Sequence, residues 1–250
     1  MNDFLLDNLS SSTTKQKPTD DYTAGHRHRL RDKLLNNPDS LPDYELLELI
    51  LTYALPRKDV KPLAKDLLKT FGSFSNVLYA PEHKLYQIPF LKENSVALFK
   101  AIQTSVLRIL KQDVSDAPVL QNFDKLINYC KAKMVHSLQE SFHVFYLDNS
   151  CHLICDETMQ KGTIDQTPIY PREILKRALD LGAVSVILCH NHPSGDVSPS
   201  KADILMTHKT VDVLSSADIQ VLDHVIVSKK SYCSFKSCGL LYPKSEPRRK

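Results

Sequence analysis

The spacing of the apolar residues changes once along this chain, and the change limits the folds that are open to it. From residue 23 to 111 apolar side chains recur at intervals of three and four, for example at Phe99, Ile102 and Val106, which predicts amphipathic helices. Beyond that region short β-rich runs alternate with helical segments, which predicts a sheet covered by helices. We therefore expect a small all-helical module at 23–111 followed by a mixed α/β domain at 122–243.

Three further segments lack an apolar period. Residues 1–22 include a run of Ser and Thr and are predicted to be a disordered leader. Residues 112–121 are mainly polar around one proline and are predicted to be a linker between the two parts. Residues 244–250 are predicted to be a flexible basic tail.

The pattern within the α/β domain is specific enough to place its elements. Two β-rich runs meet around Asp148 and Asn149, a sequence that is typical of a hairpin turn. Helix, strand, helix and strand then follow in that order, over residues 171–181, 183–189, 199–216 and 219–228. Strands and helices that alternate in this way favour a mixed α/β architecture.

Composition excludes several classes of protein. With 42% hydrophobic residues among 250, the chain can form a proper core. The formal net charge of +3 is spread over both halves, so bulk charge does not indicate tight binding to nucleic acid. No apolar run approaches the ~20 residues of a membrane span, and the six cysteines contain no C-x-x-C pair. We expect a reduced, cytoplasmic protein that has no membrane partner.

The stretch from residue 188 to 203 carries the strongest chemical signal. Side chains alternate along extended backbone, so His190 and His192 leave the end of a strand on the same side. After seven intervening residues Ser200 begins a helix, which places Asp203 in its first turn, facing back toward the loop. Two imidazoles and one carboxylate suit a metal such as zinc and leave a fourth position for water, as in catalytic metal sites.

Other interpretations of these residues remain open at this point. Asp203 stands three residues after Ser200, so it can instead complete a capping box at the helix start. His26 and His28 have the same spacing as the first pair, but their basic neighbours repel a cation. His224 lies in an apolar strand, where a buried histidine or one that supports a ligand is more common than a ligand itself.

The whole pattern, His190-x-His192, seven residues and Ser200-x-x-Asp203, resembles the JAMM motif of JAB/MPN-domain metalloproteases. The sequences HNHPSG and PSKAD, with LDHVIV at 222–227 and the YPRE segment at 170–173, resemble the bacterial RadC branch of that group. The helical module resembles the N-terminal region of RadC proteins, and the likeness covers residues 25–242. The resemblance implies an MPN/JAB-like, cytidine-deaminase-like α/β domain with a mixed sheet.

The resemblance also implies a chemistry. It implies that one zinc ion per chain is held by His190, His192 and Asp203, and that the site hydrolyses peptide or isopeptide bonds in a peptide or protein substrate. Glu140 matches the family glutamate that takes a proton from the attacking water; Glu157 and Glu173 are the other candidates. Ser200 matches the serine thought to support the oxyanion, and a helix-capping role for the same residue is compatible with that.

A second function follows from the same resemblance. RadC carries a DNA-repair label, and RadC-like N-terminal modules resemble helix-hairpin-helix folds, so the protein can be an accessory factor whose metal-bearing domain serves mainly for interaction. Such hairpins use glycines to bring backbone N–H groups to a phosphate. Residues 87–93 contain no glycine, and Pro89 lacks an N–H. The resemblance thus implies at most a weak DNA contact through this module.

Overall fold

A computed structural model describes residues 20–161 and 170–242 of the chain. The described residues form two compact units, one made of the residues up to 77 with 90–95, the other of 78–89 with the residues from 96 onward. Most of the predicted leader and the whole predicted tail at 244–250 lie outside the described residues, although a helix begins at Asp20, inside the leader. No described helix is long and apolar enough to cross a membrane.

The first unit is helical, as the apolar spacing predicts. Its elements are α1 (Asp20–Asn36), a short 3-10 helix (Pro38–Ser40), α2 (Asp43–Ala54), α3 (Lys61–Phe71) and the start of α4 (Phe74–Leu78). Leu47, Leu51 and Leu67 are fully buried at the helical spacing. Helix α3 ends at Gly72, whose φ of 85° lies in the left-handed region that glycine adopts most readily.

Helices α5 (Glu82–Leu85) and α6 (Glu93–Ser115) follow. The turn between them contains Phe90 at φ 74°, a left-handed backbone that bulky residues rarely adopt. The structure differs from the sequence expectation at 112–121, because α6 continues to Ser115 and a 3-10 helix covers Val119–Gln121. Val114 and Val119 are buried in the core of the second unit, so two apolar anchors hold a segment whose polar composition predicted a linker.

The second unit is built on a five-stranded mixed sheet in the order β2-β1-β3-β4-β5. The strands are β1 (Ser141–Leu147), β2 (Leu153–Lys161), β3 (Ser185–Asn191), β4 (Gln220–Val227) and β5 (Tyr232–Ser234). The predicted hairpin joins β1 and β2 as antiparallel neighbours. Strands β3 and β4 are parallel and are connected through α9 (Lys201–Ser215).

Helices cover both faces of the sheet. Helices α8 (Pro171–Leu181) and α9 pack on one face, and α7 (Phe123–Met134) with the end of α6 packs on the other. Residues of β3 alternate between the two cores, with Leu188 facing α8 and α9 and Ile187 facing α7. The predicted fold class, a helical N-terminal region followed by a mixed α/β domain, is confirmed.

Candidate metal centre

The candidate site lies where β3 ends, on the sheet face that α9 covers. His190 is fully buried in β3 between Phe142 of β1 and Ile226 of β4. His192 follows the strand and is held by its backbone N–H, which donates to the Val227 carbonyl at 3.1 Å. The alternation predicted from the sequence brings the two rings together, with the Nε2 atoms 3.0 Å apart.

Asp203 reaches the same point from the first turn of α9. One carboxylate oxygen, Oδ2, accepts the Ser200 N–H at 2.8 Å, while the Ser200 hydroxyl accepts the Asp203 N–H at 3.1 Å. The other oxygen, Oδ1, lies 3.3 Å from Nε2 of His190. The two interpretations left open by the sequence therefore hold together, because Oδ2 completes a capping box and lies 3.6 Å from Nε2 of His192, while Oδ1 faces His190.

A buried chain of hydrogen bonds assigns the protons of His190. The Thr207 hydroxyl lies 2.6 Å from both the Asp203 carbonyl and Nδ1 of His224. A carbonyl can only accept, so the hydroxyl donates to it and accepts the N–H of His224. Nε2 of His224 is then bare and accepts from Nδ1 of His190 at 2.8 Å. Nε2 of His190 is left with a free lone pair that points into the site.

The second histidine is oriented by a carbonyl. Nδ1 of His192 lies 2.7 Å from the Asp196 carbonyl, which accepts its proton and leaves Nε2 toward the site. The loop that brings this carbonyl back turns at Gly195, whose φ of 90° is accessible mainly to glycine. Each ring thus presents Nε2 to Asp203 because its other nitrogen is already bonded.

The electrostatics show a site that attracts positive charge. Burial lowers the pKa of His190 to about 4, so this ring is neutral. Burial alone would raise the pKa of Asp203, but hydrogen bonds from His192 and Ser200 hold it below its usual range. The hydrogen bond to Asp203 raises the pKa of His192. A neutral imidazole and an ionised carboxylate therefore favour a cation between them.

The three side chains have the separation that a metal ion requires. The two Nε2 atoms are 3.0 Å apart, Oδ1 of Asp203 lies 3.3 Å from Nε2 of His190, and Oδ2 lies 3.6 Å from Nε2 of His192. A tetrahedral ion with bonds of about 2.0–2.1 Å spaces its ligands by about 3.3 Å. The side chain of His192 is 13% exposed, against 1% for His190 and 3% for Asp203. The group can therefore hold a metal ion and meets solvent on the side of His192.

Of the three candidate glutamates, Glu140 is the one placed near this group. It is half-buried directly before β1, and its charge contributes to the raised pKa of His192. Glu157 is instead bound to Arg177 at 2.6 Å. Glu173 lies half-exposed in the first turn of α8, next to Arg172.

The second unit is thus a mixed α/β domain in which a group of side chains at the end of β3 can hold a metal ion. Residues 120–240 match the family model of the RadC-like JAB domain. The match and the fold of this part of the chain are consistent with a RadC-family JAB/MPN domain.

Two buried residues next to the site-forming side chains were not predicted from the sequence. Thr207 lies four residues after Asp203, which places both on one face of α9, and this spacing is the signal that could have found it. Asn191 lies between the two histidines on the opposite face of β3, and alternation alone assigned it no function.

Proposed function

We propose that the protein is a zinc-dependent hydrolase of peptide or isopeptide bonds, with one zinc ion per chain. The observation that carries the proposal is the convergence of the Nε2 atoms of two histidines and an ionised carboxylate beside a glutamate that is not part of the group. Two nitrogens and one oxygen are the donor set of catalytic zinc sites, which keep a fourth position open. A peptide or protein substrate approaches from the solvent side, at His192.

Each residue has a distinct task in this mechanism. When bound, zinc supplies a Lewis acid that polarises the scissile carbonyl and makes water a nucleophile near neutral pH. His190, His192 and Asp203 would hold the ion. Glu140 accepts a proton at its carboxylate from the attacking water and later delivers it to the leaving nitrogen.

Ser200 is suited to support the developing charge. Its Oγ accepts the Asp203 N–H, and among the described residues nothing accepts its hydroxyl hydrogen. That hydrogen can donate to the carbonyl oxygen of the scissile bond as the oxygen gains negative charge. The capping contact fixes Oγ at the helix start, so the structural and the chemical role of Ser200 support each other.

Substitution of Glu140 tests the proposal. Glu140→Gln keeps the shape of the side chain and removes the proton acceptor, so hydrolysis should fall by about 10²–10⁴-fold, while the zinc content stays near that of the parent. Hydrolysis is measured on fluorescein-labelled casein and on a lysine isopeptide probe, and zinc by elemental analysis. Glu173→Gln, the same change at an exposed glutamate, is the matched control and should leave both quantities unchanged.

Two outcomes would contradict this assignment. Full activity in Glu140→Gln would mean that another group takes the proton, with Glu157 as the next candidate. A parent protein that is loaded with zinc yet cleaves neither probe would favour the accessory function instead.

We also propose a weak DNA contact through the helical unit. A cleft of about 300 Å³ there combines four Lys and Arg residues and one histidine with two carboxylates, and it is lined by His26, Arg27, Arg29, Glu48, Lys58, Asp59, Val60 and Lys61. Two or three phosphate contacts predict a loss of affinity of roughly 10–40-fold between 50 and 200 mM salt. Fluorescence anisotropy with labelled duplex DNA measures this, and salt-independent binding would contradict it.

A further inference from the structure

Asn191 lies between the two histidines of the metal centre and faces the other side of the sheet. Its side chain is buried and makes three hydrogen bonds with the segment that precedes β1. The side-chain oxygen accepts the backbone N–H and the hydroxyl of Ser141, both at 2.8 Å. The side-chain nitrogen donates to the Gln139 carbonyl at 3.2 Å.

These contacts lie where regular strand pairing stops. The ladder between β1 and β3 ends with the pair Phe142 and His190. Beyond it, the amide of Asn191 continues the pairing in place of backbone groups, by accepting from residue 141 and donating to residue 139. The backbone is thus fixed on both sides of Glu140.

We propose that Asn191 is a positioning residue that holds Glu140 at the metal centre. The inference rests on the proposed function, since it assigns a role through Glu140. Alternation at the end of β3 then positions both the ligands and the base. His190 and His192 face the metal position, while Asn191 between them fixes the segment that carries Glu140.

The chemistry of an amide suits this task. The segment offers two donors at Ser141 and one acceptor at Gln139, so its partner must both accept and donate. A carboxylate in the same place could not donate to the Gln139 carbonyl, so two acceptors would face each other. An apolar side chain would leave the buried Ser141 donors and the Gln139 carbonyl without this partner, which is costly inside a protein.

Asn191→Ala removes all three bonds and tests the proposal. Hydrogen exchange measured by mass spectrometry should speed up in a peptide covering residues 137–142, while the zinc content stays unchanged. On the casein and isopeptide probes kcat should fall on the order of 10–100-fold, because misplacing a catalytic group by about 1 Å costs that much, and KM should stay within about twofold. Asn149→Ala, in the exposed hairpin turn, is the matched control and should change none of these quantities.

A double variant separates positioning from a general structural effect. If Asn191 acts through Glu140, then Asn191→Ala added to Glu140→Gln should cause little further loss of kcat. Ser141→Ala removes one bond and keeps the backbone contact, so it should show the same changes to a smaller extent. It also provides the test should Asn191→Ala fail to fold.

The outcomes distinguish this inference from the proposed function. Unchanged exchange at residues 137–142, an unchanged kcat, or loss of zinc from Asn191→Ala would each overturn the role of Asn191. A parent protein without hydrolytic activity would refute the proposed hydrolase, while the exchange measurement would still decide whether Asn191 holds the segment.

Discussion

The second unit buries two groups of polar side chains on opposite faces of its sheet. Each group contains one buried carboxylate, and the partners of the two carboxylates differ. On the α7 face, Asp156 of β2 is bound by the ammonium groups of Lys111, at 2.5 Å, and Lys133. The Tyr129 hydroxyl donates to the same carboxylate at 2.9 Å. On the α9 face, Asp203 faces only imidazole nitrogens and its own helix cap.

The two carboxylates are equally buried, with side chains that are 1% and 3% exposed. Burial favours the neutral acid, yet the two lysines lower the pKa of Asp156 to about 2. The chain therefore supplies the cations that Asp156 needs. Asp203 has no lysine or arginine ion pair among the described residues, and it faces two imidazoles, of which that of His190 is neutral. The folded chain thus supplies the positive charge that balances Asp156, whereas the charge of Asp203 favours binding of a cation from outside the chain.

The largest expected effect is on the response to zinc. At a free zinc concentration of about 100 Kd, binding should stabilise the parent by about 2.7 kcal/mol, which raises its melting temperature by roughly 5–10 °C. Asp203→Ala should lose this rise together with hydrolysis, because it removes a ligand. Asp156→Asn should keep the full zinc-dependent rise, although its melting temperature without zinc is lower than that of the parent.

Differential scanning calorimetry with zinc and with a chelator measures both variants. A zinc-dependent rise that survives in Asp203→Ala would break the comparison, since it would place the ion elsewhere. Loss of the rise in Asp156→Asn would also contradict it, since zinc binding would then depend on the group on the α7 face.

The sequence predicted the α9 group better than the α7 group, and the reason is distance along the chain. His190, His192 and Asp203 lie within fourteen residues, so strand alternation and a helix start suffice to bring them together. Asp156, Lys111 and Lys133 come from a strand and two helices, and their meeting depends on how those helices pack on the sheet.

Two elements were missed. Helix α7 was missed although its buried residues Leu126, Cys130 and Met134 recur every four residues, and the edge strand β5 spans only three residues, too few to show a period. His224, by contrast, was correctly interpreted as a buried histidine, although its partners were not foreseen. They are Thr207 and His190, and they become neighbours only when β3, α9 and β4 assemble.

A smaller effect is expected from His224, which supports His190 without facing the candidate metal position. His224→Ala removes the acceptor for Nδ1 of His190, so zinc affinity should fall about 10–100-fold. Thr207→Val keeps the His224 ring and removes only the hydroxyl that bonds to it, so zinc affinity should fall less than in His224→Ala. His208→Ala is the matched control on α9, because His208 binds the Leu240 carbonyl instead. Zinc affinity is measured by competition with a chromophoric chelator; equal affinity in His224→Ala and His208→Ala would refute the role of the relay.

The smallest expected effect is the pH-dependent stability that Asp156 provides. Its pKa falls from 3.8 to about 2 on folding, so its contribution is present above pH 4 and is lost as the pH falls toward 2. Because Lys111 and Lys133 are 46% and 22% exposed, solvent screening reduces the contribution to about 1–2 kcal/mol. Asp156→Asn should therefore lower the free energy of unfolding by that amount at pH 7 and by roughly half of it at pH 3. Urea denaturation with a chelator present excludes any linkage to zinc, and Asp116→Asn, at an exposed aspartate, should show no such difference. A destabilisation in Asp156→Asn that is as large at pH 3 as at pH 7 would mean that packing, and not the charge on Asp156, holds the group on the α7 face together.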